Sequence, residues 1–284
     1  MKKLLETVFI NGDMVPYEKA QLHVEDRGNL FADAVYEQVR YYNGCAFEMH
    51  SHMKRFQESA RALKIAIPYS TEKIMRWADD IVKVNNLRDA SLYLQLSRGR
   101  CKRDYSIPQD NKPNIFMIAR PTKSLPKEVF EKGVKCITVD DRRGKMCNVK
   151  NTGKIVNVLA RQEAIEKKAY EAIFVRDGIV TEGATTNVFA VINGCLLTHG
   201  EGEHILSGVT RSVVIELAKR MRIDVKETPF TASEMRQAQE VFITGTSIEI
   251  LPVTYIDDEP VGDEKPGDIT TDLSAAFRAK RSHL

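Results

Sequence analysis

Two residues able to do covalent chemistry stand thirty-two positions apart in this chain. Lys150 lies in Cys147-Asn148-Val149-Lys150-Asn151-Thr152-Gly153, and Glu182 in Val180-Thr181-Glu182-Gly183-Ala184-Thr185-Thr186-Asn187. A lysine amine can hold an aldehyde as a Schiff base and afterwards carry protons. A carboxylate on a tight strand-end loop can keep a pyridine nitrogen protonated, which makes the ring an electron sink. Together they are what pyridoxal phosphate chemistry requires. Alone, neither is informative: among 42 Lys and Arg, a lysine taken at random is a solvated surface group. A phosphate needs backbone donors and a cation. Ser207-Gly208-Val209-Thr210 precedes a helix predicted to start near Arg211, and a helix N-terminus offers free N–H groups and a favourable dipole. Thr210 reads equally well there as a plain N-cap or as a phosphate ligand. Strand alternation puts Tyr36, Gln38 and Arg40 on one face, and Arg98-Gly99-Arg100-Cys101-Lys102-Arg103-Asp104-Tyr105 is a basic loop after a strand.

Other motifs occur in a fixed order. Glu25-Asp26-Arg27-Gly28 is followed by Phe31-Ala32-Asp33-Ala34-Val35-Tyr36-Glu37-Gln38-Val39-Arg40, then His52-Met53-Lys54-Arg55-Phe56. After the Lys150 and Glu182 segments come Ile205-Leu206-Ser207-Gly208-Val209-Thr210-Arg211 and Phe242-Ile243-Thr244-Gly245-Thr246-Ser247. This series resembles the class IV, or fold-type IV, aminotransferases over about 7–261, nearly the whole chain. That family includes D-amino acid aminotransferases, branched-chain aminotransferases, (R)-amine transaminases and aminodeoxychorismate lyases.

The resemblance implies pyridoxal 5'-phosphate as cofactor, Lys150 as the catalytic lysine and Glu182 as the partner of the pyridine nitrogen. It implies Arg55, Val209, Thr210, Thr246 and Ser247 around the phosphate. Tyr36, Arg40, Arg103 and Tyr105 are the implied substrate ligands. It also implies a homodimer. Branched-chain members usually carry a Tyr five residues after the lysine; Ile155 stands there. With Tyr36 and Arg103 matching, this favours the D-amino acid branch, although Tyr105 replaces a His of that branch and Ala34 a Gly common in the family. The expected reaction is a ping-pong transfer from a D-amino acid, such as D-alanine or D-glutamate, to pyruvate or 2-oxoglutarate. Branched-chain, (R)-amine and lyase activities are the alternatives. Lys154 is the competing lysine, expected on the surface.

Bulk properties agree with a folded enzyme of small molecules. At 284 residues with 43% hydrophobic and 29% charged residues, the chain can bury a large core and is expected to form two domains. A net charge of +3 is too small for a nucleic-acid footprint. Five scattered cysteines without a CxxC pair point to reduced thiols, not to disulfides or zinc, and no metal is expected. Cys147 reads as a small buried hydrophobe or as part of the site lining. The opening Met1-Lys2-Lys3-Leu4-Leu5-Glu6 is charged too early for a leader, and no 18-residue apolar run exists, so a cytoplasmic protein away from membranes is expected.

The elements that must position these residues follow from periodicity. Thr7 to Val15 reads as a hairpin about Asn11-Gly12, Val35 to Tyr41 as a strand, and Met53, Phe56, Ala60 and Leu63 as one helical face. Ser91 to Ser97 and Asn114 to Ala119 are further strands. Arg120-Pro121-Thr122-Lys123-Ser124-Leu125-Pro126-Lys127, with two prolines, is the expected linker between a small domain at 1–119 and a large cofactor-binding domain at 128–284. There, 154–169 reads as a helix, 172–181 and 187–198 as hairpins, Val213, Val214, Leu217 and Met221 as a helical face, Thr231 to Glu234 as a capping box, and 240–244 as a strand. Strand runs with flanking helices make the expected fold class α+β, two-domain and fold-type IV-like, with a small N-terminal α/β domain.

Overall fold

The structure, a computed structural model, describes residues 7–282. The opening hexapeptide read above as no leader lies outside them. Among the described residues, no helix is long and apolar enough to cross a membrane. The described residues divide into two compact units, one of residues 7–123 with 149–153, the other of residues 124–148 with 154–282.

The first unit is an antiparallel six-stranded sheet with helices on one face. Its strands are β1 (Thr7–Ile10), β2 (Asp13–Pro16), β3 (Ala34–Tyr42), β4 (Cys45–Ala46), β5 (Ala90–Ser97) and β6 (Asn114–Pro121), in the order β2-β1-β6-β5-β3-β4. The short helix α1 (Arg27–Phe31) leads into β3; α2 (Met49–Ala62) and α3 (Thr71–Val84) cover the sheet. Alternation decides the layering: Val35, Val39 and Tyr41 of β3 and Leu92, Leu94 and Leu96 of β5 face a core with Met53, Phe56 and Ala60 of α2. The expected strands and the α2 face are present. Helix α3 went unread, although Ser70 caps it by accepting from the Lys73 N–H at 3.3 Å and Ile74, Ala78, Ile81 and Val82 bury one stripe. Each of the Ile and Val side chains contributes about 1.5–3 kcal/mol on burial.

Two boundaries differ from the sequence reading. Arg120 and Pro121 are not linker: they close the β5–β6 ladder opposite Ser91 and Ala90, because Pro is tolerated at the end of an edge-facing strand stretch. Residues 149–153 group with the N-terminal unit, because the lysine segment is tied to β3. Asn151 bridges Val35, and the Thr152 N–H donates to the Ala34 carbonyl at 3.1 Å.

The second unit contains α4 (Lys127–Lys132), β7 (Val134–Asp140), α5 (Ile155–Glu166), β8 (Glu171–Arg176), β9 (Ile179–Gly183), β10 (Asn187–Ile192), β11 (Cys195–Thr198), α6 (Val209–Arg220), β12 (Val225–Glu227), α7 (Ala232–Arg236), β13 (Glu240–Gly245), β14 (Glu249–Ile256), β15 (Glu259–Pro260) and α8 (Asp268–Ser282). Its mixed sheet runs β12-β11-β10-β13-β14-β7-β8-β9, with β15 on β14 and parallel pairs β11–β12, β14–β7 and β7–β8. The Thr231 capping box forms as read, and α6 packs on β13. The fold is α+β, and the reading of alternating strands with flanking helices holds in both units.

Candidate active site

In the first unit, Lys150 is pinned by its backbone. Its N–H donates to Ser59 Oγ of α2 at 3.1 Å, and its carbonyl accepts from the Tyr36 N–H of β3 at 3.0 Å. Its ammonium sits 4.5 Å from the centre of the Tyr36 ring. Tyr36 stacks in turn on Tyr93 of β5, and Gln38 donates to Ser91 Oγ at 2.9 Å, so the open sheet face beside Lys150 is aromatic and amide-lined.

Beneath it lies a buried ion cluster. The sequence alternation that aims Val35 and Val39 at the core also aims Glu37 there, with 0% exposure. Arg55 meets it with a fork, Nε to one carboxylate oxygen at 2.7 Å and Nη2 to the other at 2.8 Å, and His52 Nδ1 lies 2.8 Å from the same carboxylate. Burial alone would raise the Glu37 pKa; Arg55 and His52 outweigh it and hold it at about 2. Burial pushes the His52 imidazole below its ordinary value. His52, Arg55 and Ser59 recur at three and four residues along α2, so one helical stripe orders both the arginine and the lysine backbone.

The other expected substrate ligands are distributed unevenly. Arg103 lies over the rings of Phe31 and Tyr105, 5.3 and 5.6 Å from their centres, and Tyr105 is 81% exposed. Phe31 ends α1 next to Ala32, whose carbonyl accepts from Thr152 Oγ1 at 3.2 Å, so this loop is linked to the lysine segment. Arg98, the first arginine of the same run, is a buried clamp, with two bonds to Asp33 and two to the carbonyls of Leu63 and Lys64. Arg40 shares the face of Tyr36 but stands four residues on, roughly 13 Å along the strand. It is buried over the Tyr42 ring with Asp89 4.0 Å away, and the structure does not bring it to Lys150.

In the second unit, Glu182 is the penultimate residue of β9, and its hydrogen-bond partners among the described residues are donors. Arg143 Nη1 donates to one oxygen; Asn187 Nδ2 at 3.2 Å and the Leu206 N–H at 2.9 Å donate to the other. Burial pushes the Glu182 pKa up, and Arg143 and the Leu206 N–H oppose it. Arg143 itself lies across Phe174, with its guanidinium carbon 4.2 Å from the ring centre, and divides its donors between Glu182 and Asp141. Lys154 is not the surface lysine expected. It stands half-buried at the start of α5, where Asn157 one turn on donates to the Ala184 carbonyl at 2.8 Å and holds the helix against the Glu182 strand end. Burial lowers its pKa, with Glu182 acting the other way. Cys147 is buried, its thiol on the Gly144 carbonyl at 3.3 Å.

Asn187 joins Glu182 to the expected phosphate elements. Its amide also donates to the Leu206 carbonyl at 2.9 Å, and its residue pairs with Thr244 at the end of β13. A Cβ on Gly208 would fall 2.0 Å from Asn187 Oδ1, so only glycine lets α6 begin there. Helix α6 starts at Val209 with Gly208 as its cap, which corrects the start near Arg211: Thr210 lies within the first turn and is not the N-cap. Gly208 brings no side chain to the first N–H groups of α6, which by helix geometry lack intrahelical acceptors. Thr244 Oγ1 is buried without a partner among the described residues, and Thr246 and Ser247 follow it in the turn to β14. Uncapped helix N–H groups, an orphan hydroxyl and a donor-held carboxylate within one unit fit a phosphorylated pyridine. Arg143, Asn187, Glu37 and Ser59 had no assigned part from sequence. Glu37 gave a signal as a charge in a core-facing strand position, and Asn187 and Ser59 as members of the motif series.

The sequence profile described as amino-transferase class IV matches residues 34–256. A D-alanine aminotransferase of Staphylococcus epidermidis is 38% identical over 270 residues, covering 95% of this chain and 96% of that protein. One of Bacillus licheniformis is 35% identical over 271 residues, 95% of each. Among solved structures, the branched-chain amino acid aminotransferase from Escherichia coli aligns with a TM-score of 0.90 at 26% identity, over 97% of this chain and 94% of that one. The branched-chain aminotransferase from Thermoproteus uzoniensis with norvaline aligns with a TM-score of 0.88 at 28% identity, over 96% and 93%.

Proposed function

Because the chain belongs to the class IV aminotransferases, we propose that it moves the amino group of a D-amino acid, such as D-alanine or D-glutamate, to pyruvate or 2-oxoglutarate. The observation that carries this reading is the 35–38% identity to D-alanine aminotransferases over 95% of the chain. Pyridoxal 5'-phosphate, the cofactor of this family, would supply an aldehyde that takes up the amino group and a ring that stores the electron pair of the broken Cα–H bond. Lys150 offers the amine that binds and releases that aldehyde and moves the proton at Cα. Glu182 would partner the ring nitrogen and keep a positive charge there. Arg55, the start of α6 at Val209 and Thr210, and Thr246 with Ser247 would hold the phosphate. Tyr36, Arg103 and Tyr105 would take the substrate carboxylate; Arg40 takes part only if it turns from Asp89.

The two half-reactions balance: one amino acid leaves as its oxo acid, and one oxo acid leaves as its amino acid. Both enantiomers of a donor must present Cα–H to the same lysine, so only the placement of carboxylate and side chain selects between them. A branched-chain L-amino acid reading has its own support in the backbone likeness to such enzymes. Single-turnover spectra of the cofactor band with D-alanine, L-leucine and (R)-1-phenylethylamine decide. D-alanine should react fastest; faster conversion by L-leucine would overturn the D-branch. Homodimerisation, usual in the family, has support in α5, where Ile155, Val158 and Leu159 stand 58–68% exposed on one apolar stripe. A fully active species of monomer mass in light scattering would contradict it.

A further inference from the structure

Glu171 opens β8, outside every motif with an assigned role, and is 1% exposed. Among the described residues no ion pair reaches it. Four donors do: the Ala172 N–H at 3.0 Å to one oxygen, and to the other the Thr185 N–H at 3.1 Å, Thr185 Oγ1 at 2.6 Å and Thr186 Oγ1 at 3.4 Å. The last three belong to the loop between β9 and β10. The loop closes on itself, the Gly183 N–H donating to the Thr186 carbonyl at 2.7 Å. A Cβ on Gly183 would meet Thr186 Oγ1 at 2.0 Å and Glu171 Cγ at 3.2 Å, so the loop is wound tightly round the carboxylate. Glu182 enters this loop and Asn187 leaves it, and these two are hydrogen-bonded to each other at 3.2 Å.

We propose that Glu171 is a positioning residue for the site: an acceptor-only spool that sets the span from Glu182 to Asn187 and so aims the Glu182 carboxylate. This rests on the reading of Glu182 as partner of the ring nitrogen. Donors on both oxygens, the Ala172 N–H on one and the Thr185 and Thr186 groups on the other, require a group with no N–H or O–H of its own. A carboxylate meets that condition, whereas a carboxamide must turn its NH2 towards one set of donors. The loop then relaxes, and Glu182 and Asn187 lose their mutual register.

The test is the holoenzyme reconstituted with pyridoxal phosphate carrying ¹⁵N in the ring, whose chemical shift reports ring protonation, alongside the melting temperature of each variant. Glu182→Gln should move the shift towards the unprotonated ring. Glu171→Gln should move it in the same direction and weaken cofactor binding about tenfold, the scale on which outer hydrogen-bond partners act at metal sites. Thr185→Val, which removes one donor from the spool without a charge change, should give a smaller shift of the same sign, and it decides the matter if Glu171→Gln does not fold. If Glu182→Gln moves the shift while the Glu171 and Thr185 variants lose only thermal stability, the positioning role is overturned and the Glu182 reading stands. If Glu182→Gln leaves the shift unmoved, both fall.

Discussion

Each unit buries one glutamate against one arginine, and the two pairs end in opposite states. Arg55 sets two donors on Glu37, one to each oxygen, and the carboxyl is held at a pKa of about 2. Arg143 turns its fork instead to Asp141, at 2.9 and 3.0 Å, and gives Glu182 a single donor; burial then wins and the Glu182 pKa rises. Parallel bonds to one partner neutralise a charge more fully than bonds divided between two. The difference separates a lock from a working group. Glu37 has no unmet demand for positive charge and fixes the α2 stripe that carries Arg55 and Ser59. Burial disfavours the charged form of Glu182, so this carboxyl gains most from one further cationic donor, the part we propose for a protonated ring nitrogen.

The sharpest way to break this comparison is Glu37→Gln. Removing one partner of a buried pair leaves Arg55 uncompensated, so the variant should lose about 3–5 kcal/mol at neutral pH in denaturant titration. Unchanged stability would remove the distinction. The same pair predicts an acid limb. The folded pKa of Glu37 lies below its unfolded value, so its contribution is complete above about pH 4.5 and is lost as pH falls towards 2. About 3 kcal/mol should disappear in that window in the parent protein and be missing from the profile of Glu37→Gln.

Glu182→Gln should behave in the reverse way. A raised folded pKa makes the ionised carboxylate a burden on the fold above that pKa, and Arg143 keeps Asp141, so stability without cofactor should change by less than about 1 kcal/mol. Turnover should fall roughly 100-fold, about 3 kcal/mol in the barrier, because the ring loses its charge partner. Turnover near the parent value with cofactor bound would show that Glu182 is a second lock. Smallest in expected effect is Thr185→Val, whose graded change in ring protonation separates the pose of Glu182 from its charge.

Local pattern made much of this molecule legible before any coordinates. Strand alternation located β3, β5 and β6, helical spacing located α2 and α6, and turn residues located the hairpins of the second unit, because each depends on neighbours close in the chain. The motif series carried the family and singled out Lys150 and Glu182. Tertiary structure alone decided where long-range partners went. It gave Arg143 to Glu182 across thirty-nine residues, Ser59 to the Lys150 N–H across ninety-one, and residues 149–153 to the N-terminal unit. It also moved Lys154 from the expected surface to the margin of Glu182 and set Arg40 beside Asp89. Propensity and period act over a few residues, whereas the pKa of a buried carboxylate depends on which distant donors the fold places against it, and on how many other groups share them.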